Sequence, residues 1–310
     1  MSPAVATAAA ILAELATMDV PLGIRTTYRV GGNARIFVQA GCIEDLRRVH
    51  AAHKASGLAV LAIGRGSNLL VADSGFEGIA VSLGGFDRVV IEDTCVVAAG
   101  AVALPVLART TARHALTGLE WAVGVPGSVG GGVRMNAGGH GSDIAASLVR
   151  VHIFDVATGE DREVPVSSLG LRFRGSDLRD EEFVISATFR LVPGDRAQAE
   201  EEIAEVVRWR RQHQPGGQNA GSVFVNPIPG VLSAGQVIDE VGLRGHRLGT
   251  ASVSDKHANF IQADENGRAD DVAALMAHVR AVVLQERGID LHSENRLVGF
   301  EPFALHGADR

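Results

Sequence analysis

Residues 124–139, GVPGSVGGGVRMNAGG, decide how this chain is read. Seven of the sixteen are glycine. Glycine loses more backbone freedom on folding than any other residue, so a packed core gains nothing from so many. A stretch this bare lets backbone N–H groups come close to a ligand, above all a phosphate or a flat heteroaromatic ring. An irregular cluster of surface turns is the other reading. Pro126, Met135 and Asn136 weigh against it, because they suit an ordered, buried segment better than a flexible linker.

A second bare turn lies upstream. Gly64-Arg65-Gly66-Ser67-Asn68 follows the strand-like run 60–63 and precedes Leu69-Leu70-Val71. Alone, it reads equally as a plain turn of Gly, Ser and Asn. Two such loops converging in space would suit one long cofactor, a diphosphate at one and a ring system at the other. The spacing Gly124-x-x-Gly127-x-x-Gly130, with Pro126 inside it, is not the GxGxxG of a dinucleotide fold, and GLEWAV before it makes a poor buried strand. The chain has no GK[ST], which excludes a P-loop, no HExxH or Cys/His metal pattern and no GxSxG elbow. No metal is expected.

The bulk numbers set the frame. The 310 residues are enough for two or three modest cores. Hydrophobic residues make up 46% and charged residues 21%, and the net charge is −7 with no basic run. That is an ordinary globular composition with nothing to attract nucleic acid. Cys42 and Cys95 have neither CxxC nor metal spacing, so a reducing cytoplasm is the expected setting. The apolar start MSPAVATAAAILAELATMDV has no Lys or Arg and is interrupted by Glu14, unlike a secretory signal. Ile11, Leu12, Leu15 and Met18 predict a short packed helix there. No run is long enough to span a membrane.

Three regions follow along the chain. Residues 1–75 run from the N-terminal helix through strand 60–63 to the GRGSN turn. Residues 76–198 hold short strands at 79–83, 89–91 and 95–98, a helix at 104–116 leading into the glycine stretch, a hairpin of 148–156 with 162–166 about Thr158-Gly159, and a strand at 183–191. Residues 199–310 complete a helix at 197–213 with Ile203, Val206 and Val207 on one face, ended by Pro215. Farther on, Asp270 or Asp271 is expected to cap a helix carrying Val272, Leu275, Met276, Val279, Val282 and Val283. Mixed elements without steady βαβ alternation predict an α+β fold.

Several polar residues stand in suggestive company, each with an ordinary reading beside it. Ser222 sits between glycine and two apolar residues, where a turn serine is common. Arg174 in Phe173-Arg174-Gly175-Ser176 equally suits a solvated charge, and Glu294 in HSENR an exposed salt bridge. His257 in KHANF suits a satisfied core histidine.

Taken in order, these pieces become specific. TTYRVGG (26–32), GRGSNLL (64–70), GVPGSVGGGVRMNAG (124–138), FRGS (173–176), AGSVFVNP (220–227), AGQVIDEVGLRG (234–245), VSDKHANFI (253–261) and LHSENRLVG (291–299) together resemble the UDP-N-acetylenolpyruvoylglucosamine reductase (MurB) family, over roughly residues 22–299. The resemblance implies a two-subdomain FAD-binding domain of the vanillyl-alcohol-oxidase (PCMH) type, 1–75 and 76–198, and a C-terminal α+β substrate domain, 199–310, whose tail can return to the FAD domain. It implies non-covalent FAD held by Tyr28, Arg29, Gly64, Arg65, Gly66, Ser67, Asn68 and Leu69, and by Gly124, Pro126, Gly127, Ser128, Gly130, Gly131, Asn136, Ala137 and Gly138.

The implied reaction has two steps. NADPH reduces FAD and leaves. Hydride then passes to the enol-ether carbon of UDP-N-acetylglucosamine enolpyruvate, and a proton is added at the α carbon to give UDP-N-acetylmuramate. By motif match Ser222 is the proton donor. Arg174 and a protonated Glu294, its pKa raised by burial, would stabilise the charge that develops on the carboxylate. Asn226, Arg210, His257 and Asn259 fall to the substrate. A monomer, with no nucleic-acid or membrane partner, is the expectation.

The chain departs from the family pattern at three places: Val225 replaces a usual Lys, Phe173 a Tyr, and His213 a basic residue. Two of these remove positive charge where a diphosphate is expected. The single tyrosine, Tyr28, lies in the N-terminal motif, so the chain resembles the branch without a tyrosine-bearing closing loop. A flavin oxidase or dehydrogenase on the same fold, or a non-catalytic UDP-sugar-binding copy, are the competing readings.

Overall fold

The computed structural model describes residues 1–300. The chain forms two compact units. The first takes Met1–Val20, Arg35–Arg65 and Glu77–Arg210; the second takes Pro21–Ala34, Gly66–Phe76 and the described residues from 211 to 300.

The first unit is built on two sheets. One has the order Thr17–Pro21, Asn33–Gln39, Phe76–Ser82, Val60–Ile63. Its last two strands run parallel, with Val60 opposite Ile79 and Ile63 opposite Ser82. Helices Pro3–Leu12 and Ile43–Ser56 supply Val5, Ala8, Leu12, Leu46 and Val49 to the core with Ile36, Val38, Ile79 and Val81. The other sheet is antiparallel, in the order Glu160–Pro165, Leu148–Asp155, Glu182–Arg190, Cys95–Ala99, Val89–Glu92. Helix Leu104–Arg113 buries Leu104, Leu107, Ala108, Thr111 and Ala112, the i, i+3, i+4, i+7, i+8 stripe of an amphipathic helix. Each fully buried leucine there is worth about 1.5–3 kcal/mol.

The second unit packs helix Ala269–Arg287 and helix Ala234–Glu240 around one core with a small antiparallel sheet, Arg247–Leu248, Ala251–Val253 and Ile261–Ala263. Strand Arg296–Val298 lies parallel to Leu69–Val71, pairing Arg296 with Leu69 and Val298 with Val71. The chain is α+β, and among the described residues no helix is long and apolar enough to cross a membrane.

Local differences from the expected elements have physical causes. The N-terminal helix ends at Leu12 and buries Val5, Ala8 and Leu12, while Met18 lies in the following strand and is exposed. The glycine stretch is not all loop: Ser128 caps a short helix, Val129–Arg134, and Glu120–Gly124 before it is a 3₁₀ turn. Neither Asp270 nor Asp271 caps the long helix. The distant Asp73 accepts from the N–H groups of Ala269 and Asp270 at 3.0 and 3.2 Å.

Candidate active site

The first unit holds a cavity of about 250 Å³ with five glycines in its walls. Gly64 and Arg65 enter from the end of strand Val60–Ile63, and Ser128, Gly130 and Gly131 from the glycine-rich stretch. A Cβ on Gly64 would stand 2.4 Å from Ser128 Oγ, so the two expected motifs meet here and glycine is what lets them. The N–H groups of Gly64 and Arg65 donate to nothing among the described residues. Those of Val129 and Gly130 are spent on the carbonyls of Val102 and Gly100 at 2.8 and 2.9 Å. The glycines of the short helix therefore serve close packing as well as exposure. Arg65 brings a guanidinium to the lining, while that of Arg134, also there, is spent on the carbonyls of Leu178, Arg179 and Glu182. Glycine-rich walls, open N–H donors and the Arg65 cation suit the diphosphate of a dinucleotide, so the residues present fit FAD.

Arg174 is held against the same stretch. Its Nη1 donates to Gly138 O at 2.9 Å, and its guanidinium carbon lies 5.2 Å from the centre of the Phe173 ring. Ring contact thus persists where the resemblance leads one to expect tyrosine. Two further bonds tie the FRGS segment down: Ser176 Oγ donates to Arg134 O at 2.7 Å, and Asn136 Nδ2 to Arg172 O at 3.3 Å. Asn136 is buried and also bonds Asp143 and the N–H of Ala145, so its amide shapes the loop. Arg210 donates to Gly124 O, and burial lowers its pKa. A second cavity, of about 430 Å³, has Trp121, His140 and Trp209 in its walls, the His140 ring meeting Trp209 edge-on at 5.1 Å.

In the second unit Ser222 and Glu294 come together. The N–H of Glu294 donates to Val223 O at 2.8 Å, Phe224 bridges Ser293, and Val225 N–H donates to His292 O at 2.9 Å. Ser222 and Glu294, both half-buried, therefore sit on adjoining backbone segments. The buried Asn259 clamps one of these from behind: its Oδ1 accepts from Phe224 N–H at 3.0 Å and its Nδ2 donates to Phe224 O at 2.8 Å. Asn226 Oδ1 accepts from Ala234 N–H at 3.1 Å. His257 Nδ1 accepts from Asn259 N–H at 3.2 Å, and burial, aided by Arg244, lowers its pKa below the ordinary 6.5.

The remainder of the GRGSN turn belongs to this unit. Gly66 has φ of +61°, and a Cβ there would lie 2.3 Å from Arg25 O. Asn68 Nδ2 donates to Glu294 O at 2.9 Å. Ser67 and Leu69 flank it. Arg29 is exposed, with φ of +55°. Tyr28 is fully buried in the core, and its hydroxyl reaches Asn295 Oδ1 at 3.4 Å.

Sequence reading passed over Arg134 and Asn295. A basic residue inside a glycine run facing a predicted phosphate site was the available signal for Arg134. Asn295 gave none, since a buried amide beside a glutamate looks like any polar neighbour.

Comparison with known proteins places this geometry. Residues 34–164 match the FAD binding domain model, and residues 212–298 the model of the UDP-N-acetylenolpyruvoylglucosamine reductase C-terminal domain. The UDP-N-acetylenolpyruvoylglucosamine reductase of Synechococcus sp. (strain RCC307) is 40% identical over 286 residues, covering 91% of this chain and 93% of its own. That of Gloeobacter violaceus is 40% identical over 284 residues, with 90% and 95% covered. The crystal structure of UDP-N-acetylenolpyruvylglucosamine reductase (MurB) from Thermus caldophilus superposes with a TM-score of 0.79 at 32% identity, over 91% of this chain and 98% of that one. With relatives this similar over nearly its whole length, the chain belongs to the UDP-N-acetylenolpyruvoylglucosamine reductase family.

Proposed function

We propose that this protein is a cytoplasmic FAD enzyme that uses NADPH to reduce UDP-N-acetylglucosamine enolpyruvate to UDP-N-acetylmuramate in peptidoglycan precursor synthesis. The observation that carries the reading is the backbone bond from Glu294 to Val223, which sets Glu294 beside Ser222 in a family whose relatives bear the reductase name. Residues 1–75 and 76–198 carry the cofactor in this reading, and 199–310 the UDP-sugar.

When bound, FAD would supply hydride chemistry at the enol-ether carbon β to the carboxylate, with NADPH as reductant. The N–H groups of Gly64 and Arg65, with the Arg65 guanidinium, would hold its diphosphate. Arg174 binds the substrate carboxylate and stabilises the negative charge that grows on it. Glu294, protonated, donates a second hydrogen bond to the same charge, and both bonds strengthen toward the transition state. Ser222 Oγ–H gives its proton to the α carbon. A serine hydroxyl is a feeble acid, yet an α carbanion is a stronger base than the alkoxide left behind. Asn226 Nδ2 and the Arg210 and His257 side chains hold the UDP-sugar, and Asn259 acts through the backbone of Phe224. Because Val225 and His213 bring no full positive charge, Arg210 and Arg211 compensate at the diphosphate.

The purified protein, yellow and releasing FAD on heating, should turn NADPH over continuously under anaerobic conditions only when UDP-N-acetylglucosamine enolpyruvate is present. Mass spectrometry should show a product heavier than substrate by two hydrogens. Rapid NADPH-independent turnover of an alcohol with oxygen would replace this reading with that of a flavin oxidase.

A further inference from the structure

Asn295 is 2% exposed and follows Glu294 directly. Its Nδ2 donates to Asn68 Oδ1 at 3.0 Å and also lies 3.2 Å from Ala220 O and 3.3 Å from Ser222 O. An amide nitrogen has two protons, so one serves Asn68 and the other is shared by the two carbonyls. Its Oδ1 accepts from the Tyr28 hydroxyl. Burial pushes the Tyr28 phenol up, so it stays a donor and fixes which way the Asn295 amide faces. Asn68 in turn donates from its own Nδ2 to Glu294 O at 2.9 Å. One buried side chain therefore ties the peptide of Ser222 to the segment carrying Glu294, with Asn68 bracing the far side.

We propose that Asn295 is the positioning residue for the proton-transfer step: it fixes the backbone of Ser222 against that of Glu294, so that hydroxyl and carboxyl meet the substrate in register. The inference rests on the reductase reading above. Asn295 touches neither substrate nor cofactor in this role. It acts through Ser222 and Glu294, and Tyr28 acts through Asn295. The pair needs such a brace because each lies on a short irregular segment joined by isolated bridges rather than a full ladder. A proton donor displaced by about 1 Å loses rate on the order of 100-fold.

The test is anaerobic stopped-flow spectroscopy of the holoenzyme, which separates the two half-reactions. In Asn295→Ala, reduction of FAD by NADPH should proceed at the wild-type rate. Reoxidation by UDP-N-acetylglucosamine enolpyruvate should slow by about 100-fold and acquire a larger solvent deuterium isotope effect than wild type, because proton transfer becomes limiting. Equal slowing of both half-reactions would mark a merely structural residue and overturn the proposal, as would wild-type reoxidation. If Asn295→Ala does not accumulate as folded protein, Asn295→Asp takes its place, since it keeps the shape and the oxygen facing Tyr28 and removes the Nδ2 donor. It should slow reoxidation alone by about 5-fold or more, the equivalent of at least one neutral hydrogen bond; no change would overturn the proposal. Wild-type protein whose reduced flavin ignores this substrate would instead reject the reductase reading, before any variant is compared.

Discussion

Arg174 Nη1 donates to the carbonyl oxygen of Gly138 at 2.9 Å. Two motifs far apart in sequence are joined by that bond, and the guanidinium is fixed by the loop that also supplies the lining of the glycine-walled cavity. Arg174 itself has φ of +56°, so the backbone is turned unusually to present it. Lysine offers a point charge where a planar fork is needed. Arg174→Lys should lower the rate of flavin reoxidation by substrate by about 100-fold while NADPH still reduces the flavin. Single-turnover absorbance traces check this.

Ser222 is assigned the proton. Ser222→Ala should slow substrate-driven reoxidation by about 100- to 10,000-fold, the usual span for loss of a general acid. FAD content and the rate of reduction by NADPH should not change. Turnover at the wild-type rate would remove Ser222 from the mechanism.

Gly66 answers for the turn. With φ of +61° and Arg25 O where a Cβ would sit, Gly66→Ala must move backbone. The loss of stability should be about 1–3 kcal/mol or more, read from urea unfolding, with weaker retention of FAD on gel filtration.

The pH dependence of stability has a definite sign at His257. Its folded pKa lies below 6.5, first through burial and then through Arg244. The unfolded chain therefore binds more protons near that pH than the folded one. Stability at this residue is complete above the unfolded pKa and is lost progressively as the pH falls from there through the lower folded pKa. Urea midpoints at about pH 5.5 and about pH 7.5 should differ less in His257→Gln than in wild type.

Much of this was legible in the residues themselves, for identifiable reasons. Strand Val60–Ile63 is a short apolar run closed by glycine, and the helix Ala269–Arg287 shows its buried face by spacing alone. Helix Ile43–Ser56 was missed because only Leu46, Val49 and Ala52 are buried in an otherwise charged sequence. Ser128–Arg134 was hidden by its glycines, whose weak helix propensity is overruled by tertiary bonds to Val102 and Gly100. The capping of the long helix by Asp73 could not be read locally, because the cap comes from a distant segment. Within the site, Ser222, Arg174 and Glu294 were recognisable by motif. The bracing amides of Asn136, Asn259 and Asn295 were not, since their roles exist only once distant backbone carbonyls and N–H groups have been brought to them.

The most direct measurement is anaerobic: reduce the bound FAD with one equivalent of NADPH, then mix with UDP-N-acetylglucosamine enolpyruvate and follow the flavin absorbance. The oxidised spectrum should return in full, with one UDP-N-acetylmuramate formed per flavin. A flavin that stays reduced in the presence of that substrate, yet is reoxidised at once by oxygen, would contradict the reductase reading.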